Sequence, residues 1–229
     1  MAVAQPQCSL KELYEDVIMS SASRFATSQS SDELGAALPG FLEVRNSLQR
    51  SRAKMRPKLP ASRSGIRLQA PWTVGRDGGQ FLLFDDGSED RILGFGSEDA
   101  VKILCSAACV LMDGTFRVVP RLFSQMYTLH ASFRNQVMPL LYFLLPNKEK
   151  NTYSRVFTLI STFATARGLL FNPQRFKLDY EIGMLKAIEE NFPQARVTGC
   201  NFHYMQALYR RVQKYGLKKL YDEDETVKR

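Results

Sequence analysis

The chain has 229 residues, 45% of them hydrophobic, which is enough for one substantial globular domain and a smaller appendage. The longest apolar run, residues 138–146, is too short to span a bilayer, and the four cysteines are too few and too scattered for a disulfide framework. With no signal-peptide pattern at the N-terminus, we expect a soluble intracellular protein. The formal net charge of +8 suggests a polyanionic partner.

The N-terminal third is predicted to be helical and basic. We expect a flexible N-terminus over residues 1–31 with a short helix near Leu10–Met19, and a basic helical segment with a linker over residues 32–78. Within that segment, one helix is predicted at Ser31–Leu38 and an amphipathic basic helix at Phe41–Lys54, ended by prolines. The candidate nucleic-acid contacts are Arg45, Arg50, Arg52, Lys54, Arg56 and Lys58. A solvated or disordered linker explains these charges equally well.

A β-hairpin and a helix are predicted to precede the main series of strands. Gln80–Phe84 and Arg91–Phe95 are β-like runs separated by an acidic, glycine-containing turn. Ser97 is a suitable N-cap for a helix that reaches about Ala108.

Five strands and three helices are predicted within a core domain at residues 79–216. The strands are Cys109–Met112, Ser124–Phe133, Met138–Leu145, Phe176–Leu178 and Ala195–Gly199, and the helices are Asn151–Gly168, Tyr180–Phe192 and Phe202–Tyr215. Three strands joined by short loops, followed by strand–helix repeats, indicate an α/β fold with a mixed sheet. Its antiparallel meander is followed by parallel crossovers, and the hairpin is predicted to be an N-terminal extension.

Two aspartates are predicted at strand ends that this topology brings together. Asp113 follows the first strand and precedes Gly114, and Asp179 follows the fourth strand. An acid beside an apolar strand costs free energy unless it is paired or coordinated, and carboxylates hold Mg²⁺ in phosphoryl-transfer sites. Taken singly, Asp113 is explained by a turn at Gly114 and Asp179 by a helix N-cap.

A Cys/His pair follows the fifth strand. Cys200 and His203 have i, i+3 spacing, and a zinc site would need Cys105 and Cys109 as well. We expect instead that Cys200 is buried and that His203 caps a helix or forms hydrogen bonds near the acids.

Several motifs together resemble the MULE transposase domain of Mutator-like elements, from about residue 80 to the C-terminus. They are Asp113-Gly-Thr-Phe, Pro120-Arg-Leu-Phe-Ser-Gln-Met-Tyr-Thr-Leu-His130, Pro139-Leu-Leu-Tyr-Phe-Leu-Leu-Pro-Asn147, Asp179-Tyr-Glu-Ile-Gly-Met-Leu-Lys-Ala-Ile188, and Gly199-Cys-Asn-Phe-His203 with Gln206. The resemblance implies a ribonuclease-H-like fold with a DDE site that uses two Mg²⁺ or Mn²⁺ ions on DNA. It also implies nuclear location, a possible homo-oligomer and no membrane partner.

The family's functional residues transfer only in part. Asp113 and Asp179 match the two catalytic, metal-binding aspartates, and Cys200 and His203 match the family's Cys-x-x-His motif. The family's glutamate lies beyond a helical insertion that we expect to begin at residues 217–229. Glu223 and Glu225 are too early to match it, so we expect this chain to lack the third catalytic acid. Glu181, two residues after Asp179, could supplement the metal ligands, but on the first turn of a helix we expect it to be a surface residue.

Three functions are therefore open. The first is a transposon-derived DNA-binding protein with metal-dependent phosphodiester cleavage and strand transfer. The second is a catalytically inactive truncated or domesticated relative that binds DNA or protein. The third is a cellular nuclease of similar fold, since an aspartate pair is common to all of these.

Overall fold

A computed structural model describes residues 8–25, 38–54, 58–116, 118–179 and 181–224. The chain divides into two compact units, residues 1–79 and residues 80–229. The helix predicted at Ser31–Leu38 lies almost entirely outside the described residues. No helix in the described ranges combines the length and the apolarity needed to cross a membrane.

The first unit contains the helices α1 (Leu10–Phe25) and α2 (Phe41–Lys54). The Ser9 hydroxyl accepts a hydrogen bond from the Glu12 amide over 3.1 Å, and the Glu12 carboxylate accepts one from the Ser9 amide over 2.7 Å. This reciprocal capping box explains where α1 begins. The α2 bounds are those predicted, but no residue of α2 is buried.

The second unit is built on a mixed seven-stranded sheet. Its strands are β1 (Leu82–Asp85), β2 (Leu93–Phe95), β3 (Cys109–Thr115), β4 (Gln125–Phe133), β5 (Gln136–Leu145), β6 (Arg175–Leu178) and β7 (Arg196–Gly199). Its helices are α3 (Glu98–Ser106), α4 (Lys150–Thr165), α5 (Ile182–Asn191), α6 (Asn201–Lys214) and α7 (Lys218–Glu223). The order across the sheet is β1-β2-β5-β4-β3-β6-β7. The α/β class and the mixed sheet are confirmed.

The strand directions are those predicted for a meander followed by crossovers. Strands β3, β4 and β5 pair antiparallel, and β6 and β7 pair parallel to β3 and to each other. Arg134 and Asn135, at the β4–β5 turn, have φ values of 50° and 63°. Such positive φ values in a two-residue loop match the right-handed twist of a hairpin.

The sheet has seven strands rather than the predicted five, because the hairpin β1–β2 joins it. Strand β2 pairs antiparallel with β5, with Leu93 opposite Leu144 and Phe95 opposite Tyr142. A Cβ atom at Gly94 would lie 2.5 Å from the Phe143 ring and 2.6 Å from the Phe84 ring. Glycine at this position therefore lets the hairpin pack tightly onto β5.

An arginine of α4 holds the loop between β1 and β2. Arg155 pairs with Asp86, and its Nη2 donates hydrogen bonds to the Ser88 hydroxyl over 2.6 Å and to the Asp90 carbonyl over 3.0 Å. Asp86 also accepts a hydrogen bond from the Ile92 amide over 2.9 Å. We call this set of contacts the Arg155 clasp, and it links α4 to the hairpin.

The core lies on the face of the sheet that packs against α3, α4 and α5. Side chains alternate along a strand, so Val110 and Met112 of β3 and Phe176 and Leu178 of β6 point into this core. The residues between them point to the opposite face. That alternation places the polar and charged side chains of β3 and β6 on one side of the sheet.

Both ends of α4 differ from the prediction. Glu149, and not Asn151, is the N-cap of α4. Asn147 acts two residues earlier, since its side-chain oxygen accepts hydrogen bonds from the Glu149 amide over 3.1 Å and from the Thr152 hydroxyl over 2.7 Å. Helix α4 ends before Gly168, whose φ of 69° suits a helix terminus.

Candidate metal centre

Asp113 lies within β3 and not at its end. The strand continues through Gly114, which pairs with Tyr127, to Thr115, so the turn expected at Gly114 is wrong. Gly114 suits this position because a Cβ atom there would lie 3.0 Å from the Gln125 side-chain oxygen. The Asp113 side chain is 48% exposed, on the face of the sheet away from the core.

Asp179 is brought to Asp113 by the parallel pairing of β6 with β3. Leu111 pairs with Lys177, so continuing the register by two residues aligns Asp113 with Asp179. Asp179 is not the N-cap of α5, because that position belongs to Glu181. The helix-capping explanation for Asp179 is therefore wrong.

His203 joins the two aspartates from the first turn of α6. The Cys200 amide, at the N-cap of α6, donates a hydrogen bond to the Leu178 carbonyl over 2.7 Å, which ties the start of this helix to the end of β6. His203 Nε2 lies 3.7 Å from Asp113 Oδ1. Asp113, Asp179 and His203 each offer one ligand atom, and these three atoms lie within 4.8 Å of one another.

The electrostatic setting of Asp179 favours a bound cation. Burial raises the pKa of the Asp179 carboxyl and the Asp113 charge raises it further, whereas His203 and Lys148 lower it. Within the described ranges, no group hydrogen-bonds to the buried Oδ1 of Asp179 or to the buried Nδ1 of His203. A buried, unpartnered carboxylate oxygen is costly, and a metal ion would satisfy it.

The donor set fits a divalent cation. Two carboxylate oxygens suit Mg²⁺ or Mn²⁺, and an imidazole nitrogen is compatible with a transition metal such as Mn²⁺. Asp113, Asp179 and His203 are thus the residues that would hold such an ion.

Glu181, predicted to be a surface residue, is largely buried in this region. Its side chain is only 12% exposed, and its Oε1 lies 3.3 Å from Lys148 Nζ. The same ammonium group lies 3.7 Å from the centroid of the Phe116 ring. Lys148 therefore connects Glu181 with the segment that follows Asp113. The spacing Asp179-Tyr-Glu181 between a buried strand and a helix start was the available sequence signal.

Buried polar groups lie on the core side of the acids. The Gln125 side-chain amide donates a hydrogen bond to the Tyr153 hydroxyl over 2.5 Å, and the Tyr127 and Tyr153 rings are 5.2 Å apart. Burial raises the pKa of Tyr127 well above its ordinary value, and the charges of Asp179 and Glu181 contribute to that increase. The negative charges of Asp179 and Glu181 therefore act on the same group of side chains, and their combined field would attract a cation.

The cysteines do not form the alternative zinc site. Of the residues with described positions, the one group of three metal-ligating side chains is Asp113, Asp179 and His203. Cys105, Cys109 and Cys200 are free thiols and half-buried. Cys200 contributes its backbone at the start of α6, and its thiol makes no capping hydrogen bond.

The predicted nucleic-acid contacts of the first unit are distributed along α2 and just beyond it. Arg45, Arg50 and Lys54 lie on α2, Lys58 follows it, and Arg56 lies outside the described residues. Arg52 donates a hydrogen bond to the Cys8 carbonyl over 3.0 Å, and so has a structural contact within this unit.

Comparison with known proteins supports the resemblance found in the sequence. The chain has no significant match among curated proteins. Residues 109–207 match the sequence model of the MULE transposase domain, and this segment includes Asp113, Asp179 and His203. It begins at the first residue of β3 and ends within α6. Over residues 109–207, the chain is therefore similar to the MULE transposase domain.

Proposed function

We propose that this protein binds DNA and catalyses metal-dependent cleavage and strand transfer of phosphodiester bonds, as a Mutator-like DDE transposase does. The observation that carries the proposal is the convergence of Asp113, Asp179 and His203, with ligand atoms within 4.8 Å, inside the segment that matches the MULE domain. The protein would act in the nucleus and would do so as a homo-oligomer.

The strand arrangement supports a ribonuclease-H-like assignment for the central part of the sheet. The order β5-β4-β3-β6-β7, with an antiparallel meander followed by two parallel strands, is the arrangement that the resemblance implies. In it the first and fourth predicted strands are neighbours. Hairpin β1–β2 is then an addition at the β5 edge.

Each residue of the centre has a distinct part in this proposal. Asp113 and Asp179 would hold Mg²⁺ or Mn²⁺, whose chemistry is to activate an attacking oxygen and to stabilise a leaving one. His203 would orient Asp113, or complete the ligand set through Nε2. Lys148 and Glu181 would fix the surroundings of Asp179 through their ion pair.

The proposal is tested by nicking and strand-transfer assays with Mg²⁺ or Mn²⁺, alongside isothermal titration of Mn²⁺ into the protein. Asp113→Asn and Asp179→Asn should each abolish cleavage and weaken Mn²⁺ binding at least tenfold. Asp222→Asn, which neutralises an exposed carboxylate on α7, is the matched control and should change neither.

Two other outcomes are informative. If the wild-type protein binds Mn²⁺ and DNA but does not cleave, the chain is the inactive binding module. Cleavage that persists in Asp113→Asn would show that the centre is assigned to the wrong residues.

A further inference from the structure

Two neighbouring strands present a row of basic side chains on the face of the sheet away from the core. In β6, Arg175 and Lys177 alternate with the buried residues Phe176 and Leu178, so they point away from the core and its helices α3, α4 and α5. In β7, Arg196 pairs directly with Arg175 and shares its face.

Two of these cations stand side by side without a counter-charge. Arg175 and Arg196 are both exposed, and like charges directly opposite each other on a sheet are destabilising. Among the described residues, no acidic side chain forms an ion pair with Arg175, Lys177 or Arg196. The fold thus maintains an electrostatic repulsion that a bound anion would relieve.

The row leads straight to the candidate metal centre. Arg175, Lys177 and Asp179 are alternate residues of one segment, so they lie about 6.6 Å apart along the strand direction. From Arg175 to Asp179 the row spans about 13 Å, the axial length of about four nucleotides in one strand of B-form DNA.

The backbone fixes this arrangement. The Arg196 amide donates a hydrogen bond to the Gln174 carbonyl over 2.9 Å, and the Arg175 amide donates to the Ala108 carbonyl over 3.0 Å. The Thr198 hydroxyl donates to the Phe176 carbonyl over 3.3 Å. The register of β7 on β6 is therefore held at both ends, and with it the juxtaposition of the two arginines.

We infer that Arg175, Lys177 and Arg196 bind the phosphate backbone of a DNA strand and deliver it to the centre at Asp113 and Asp179. This surface, which we call the β6–β7 track, gives the proposed function a substrate path, and its role in cleavage rests on that function. Contacts to phosphates position a strand without reading its sequence, so the track would accept any DNA sequence.

The test measures fluorescence anisotropy of a labelled single-stranded DNA of mixed sequence, in EDTA and over a range of salt concentrations. Lys177→Ala, and Arg175→Ala with Arg196→Ala, should each reduce the slope of log K against log salt by about 0.7 for every phosphate that the protein no longer neutralises. At about 0.1 M salt that corresponds to roughly a fivefold loss of affinity per residue.

Arg196→Glu separates binding from folding. Glutamate opposite Arg175 replaces a repulsive pair with an attractive one, so Tm should rise by about 1–3 °C while DNA affinity falls. Lys186→Glu is the matched control, because Lys186 is exposed on α5, which packs on the other face of the sheet. It makes the same change in charge and should leave affinity unchanged.

The outcomes for the track and for the proposed function can be told apart. If Lys186→Glu weakens binding as much as Arg196→Glu, net charge explains the binding and the track is wrong, whatever the cleavage assay gives. If the track variants lose DNA affinity while the wild-type protein does not cleave DNA with Mg²⁺ or Mn²⁺, the track stands and the proposed cleavage is wrong.

Discussion

Gly183 lies so close to the loop before α4 that a Cβ atom at this position would come within 2.4 Å of the Lys148 carbonyl oxygen. This close approach joins the first turn of α5 to the segment that carries Lys148. Because Glu181 and Asp179 directly precede that turn, the contact helps to place the acids of the candidate centre.

Gly183→Ala is expected to destabilise the protein by about 1–3 kcal/mol, because the added methyl group meets backbone and cannot be avoided by a side-chain rotation. Urea denaturation gives the change in the free energy of unfolding. Ile182→Ala is the control, since Ile182 is 68% exposed and its truncation should cost less than about 0.5 kcal/mol. Equal stability of the two variants would contradict the close packing.

The ion pair between Lys148 and Glu181 is expected to show energetic coupling. Lys148→Met should destabilise by about 1–3 kcal/mol, because it leaves a buried carboxylate unpaired, and the partial exposure of Lys148 keeps the value below that of a fully buried pair. Glu181→Gln should cost less. The double variant should be more stable than the sum of the two single changes predicts, by about 1 kcal/mol. Unfolding curves of the wild type, the two single variants and the double variant give these changes in the free energy of unfolding. If the two single changes add up to the double change within about 0.5 kcal/mol, the pair is not coupled.

Asp179→Asn is expected to stabilise the metal-free protein. Burial raises the pKa of Asp179 in the folded state, so the ionised carboxylate weakens the fold at neutral pH. Removing that charge should raise Tm by about 1–2 °C, a small shift because solvent screens the charge of this half-buried carboxylate. Differential scanning calorimetry in EDTA measures it.

The stability advantage of Asp179→Asn over the wild type should depend on pH. Asp179 is protonated in both the folded and the unfolded chain below about pH 4, the usual pKa of an aspartate in an unfolded chain, so the advantage of the asparagine variant should disappear there. It should return as the pH rises. Added Mn²⁺ should reverse the order at neutral pH, since a ligand that binds the folded wild-type protein stabilises it. An advantage that persists at low pH would point to a cause other than charge.

The sequence predicted the strands and helices of the second unit well because their apolar periodicity is strong. It also predicted that Asp113 and Asp179 could meet, since that depends only on which strands are neighbours. What it missed depends on local geometry. The turn expected at Gly114 is strand, because pairing with Tyr127 outweighs the tendency of Asp-Gly to turn.

Contacts distant in sequence account for the other differences. Glu181 is largely buried and pairs with Lys148 from the loop before α4, and no pattern near Glu181 indicates that partner. The hairpin β1–β2 joins the sheet beside Gly94, where the absence of a Cβ atom leaves room for the rings of Phe84 and Phe143. The sequence around Glu181 does not indicate Lys148, and the sequence around Gly94 does not indicate the Phe143 ring, because each contact joins distant segments.

The Arg155 clasp bears on which piece of this chain can fold by itself. The MULE match begins at Cys109, but the hairpin held by Arg155 lies before that point, and so do Phe84, Ile92, Val101 and Leu104 of the core. A fragment cut at residue 109 would expose the edge of β5 and leave Arg155 without Asp86. The unit that unfolds cooperatively therefore extends upstream to about Gln80, and hydrogen exchange in β1 and β2 should follow global unfolding rather than local fraying.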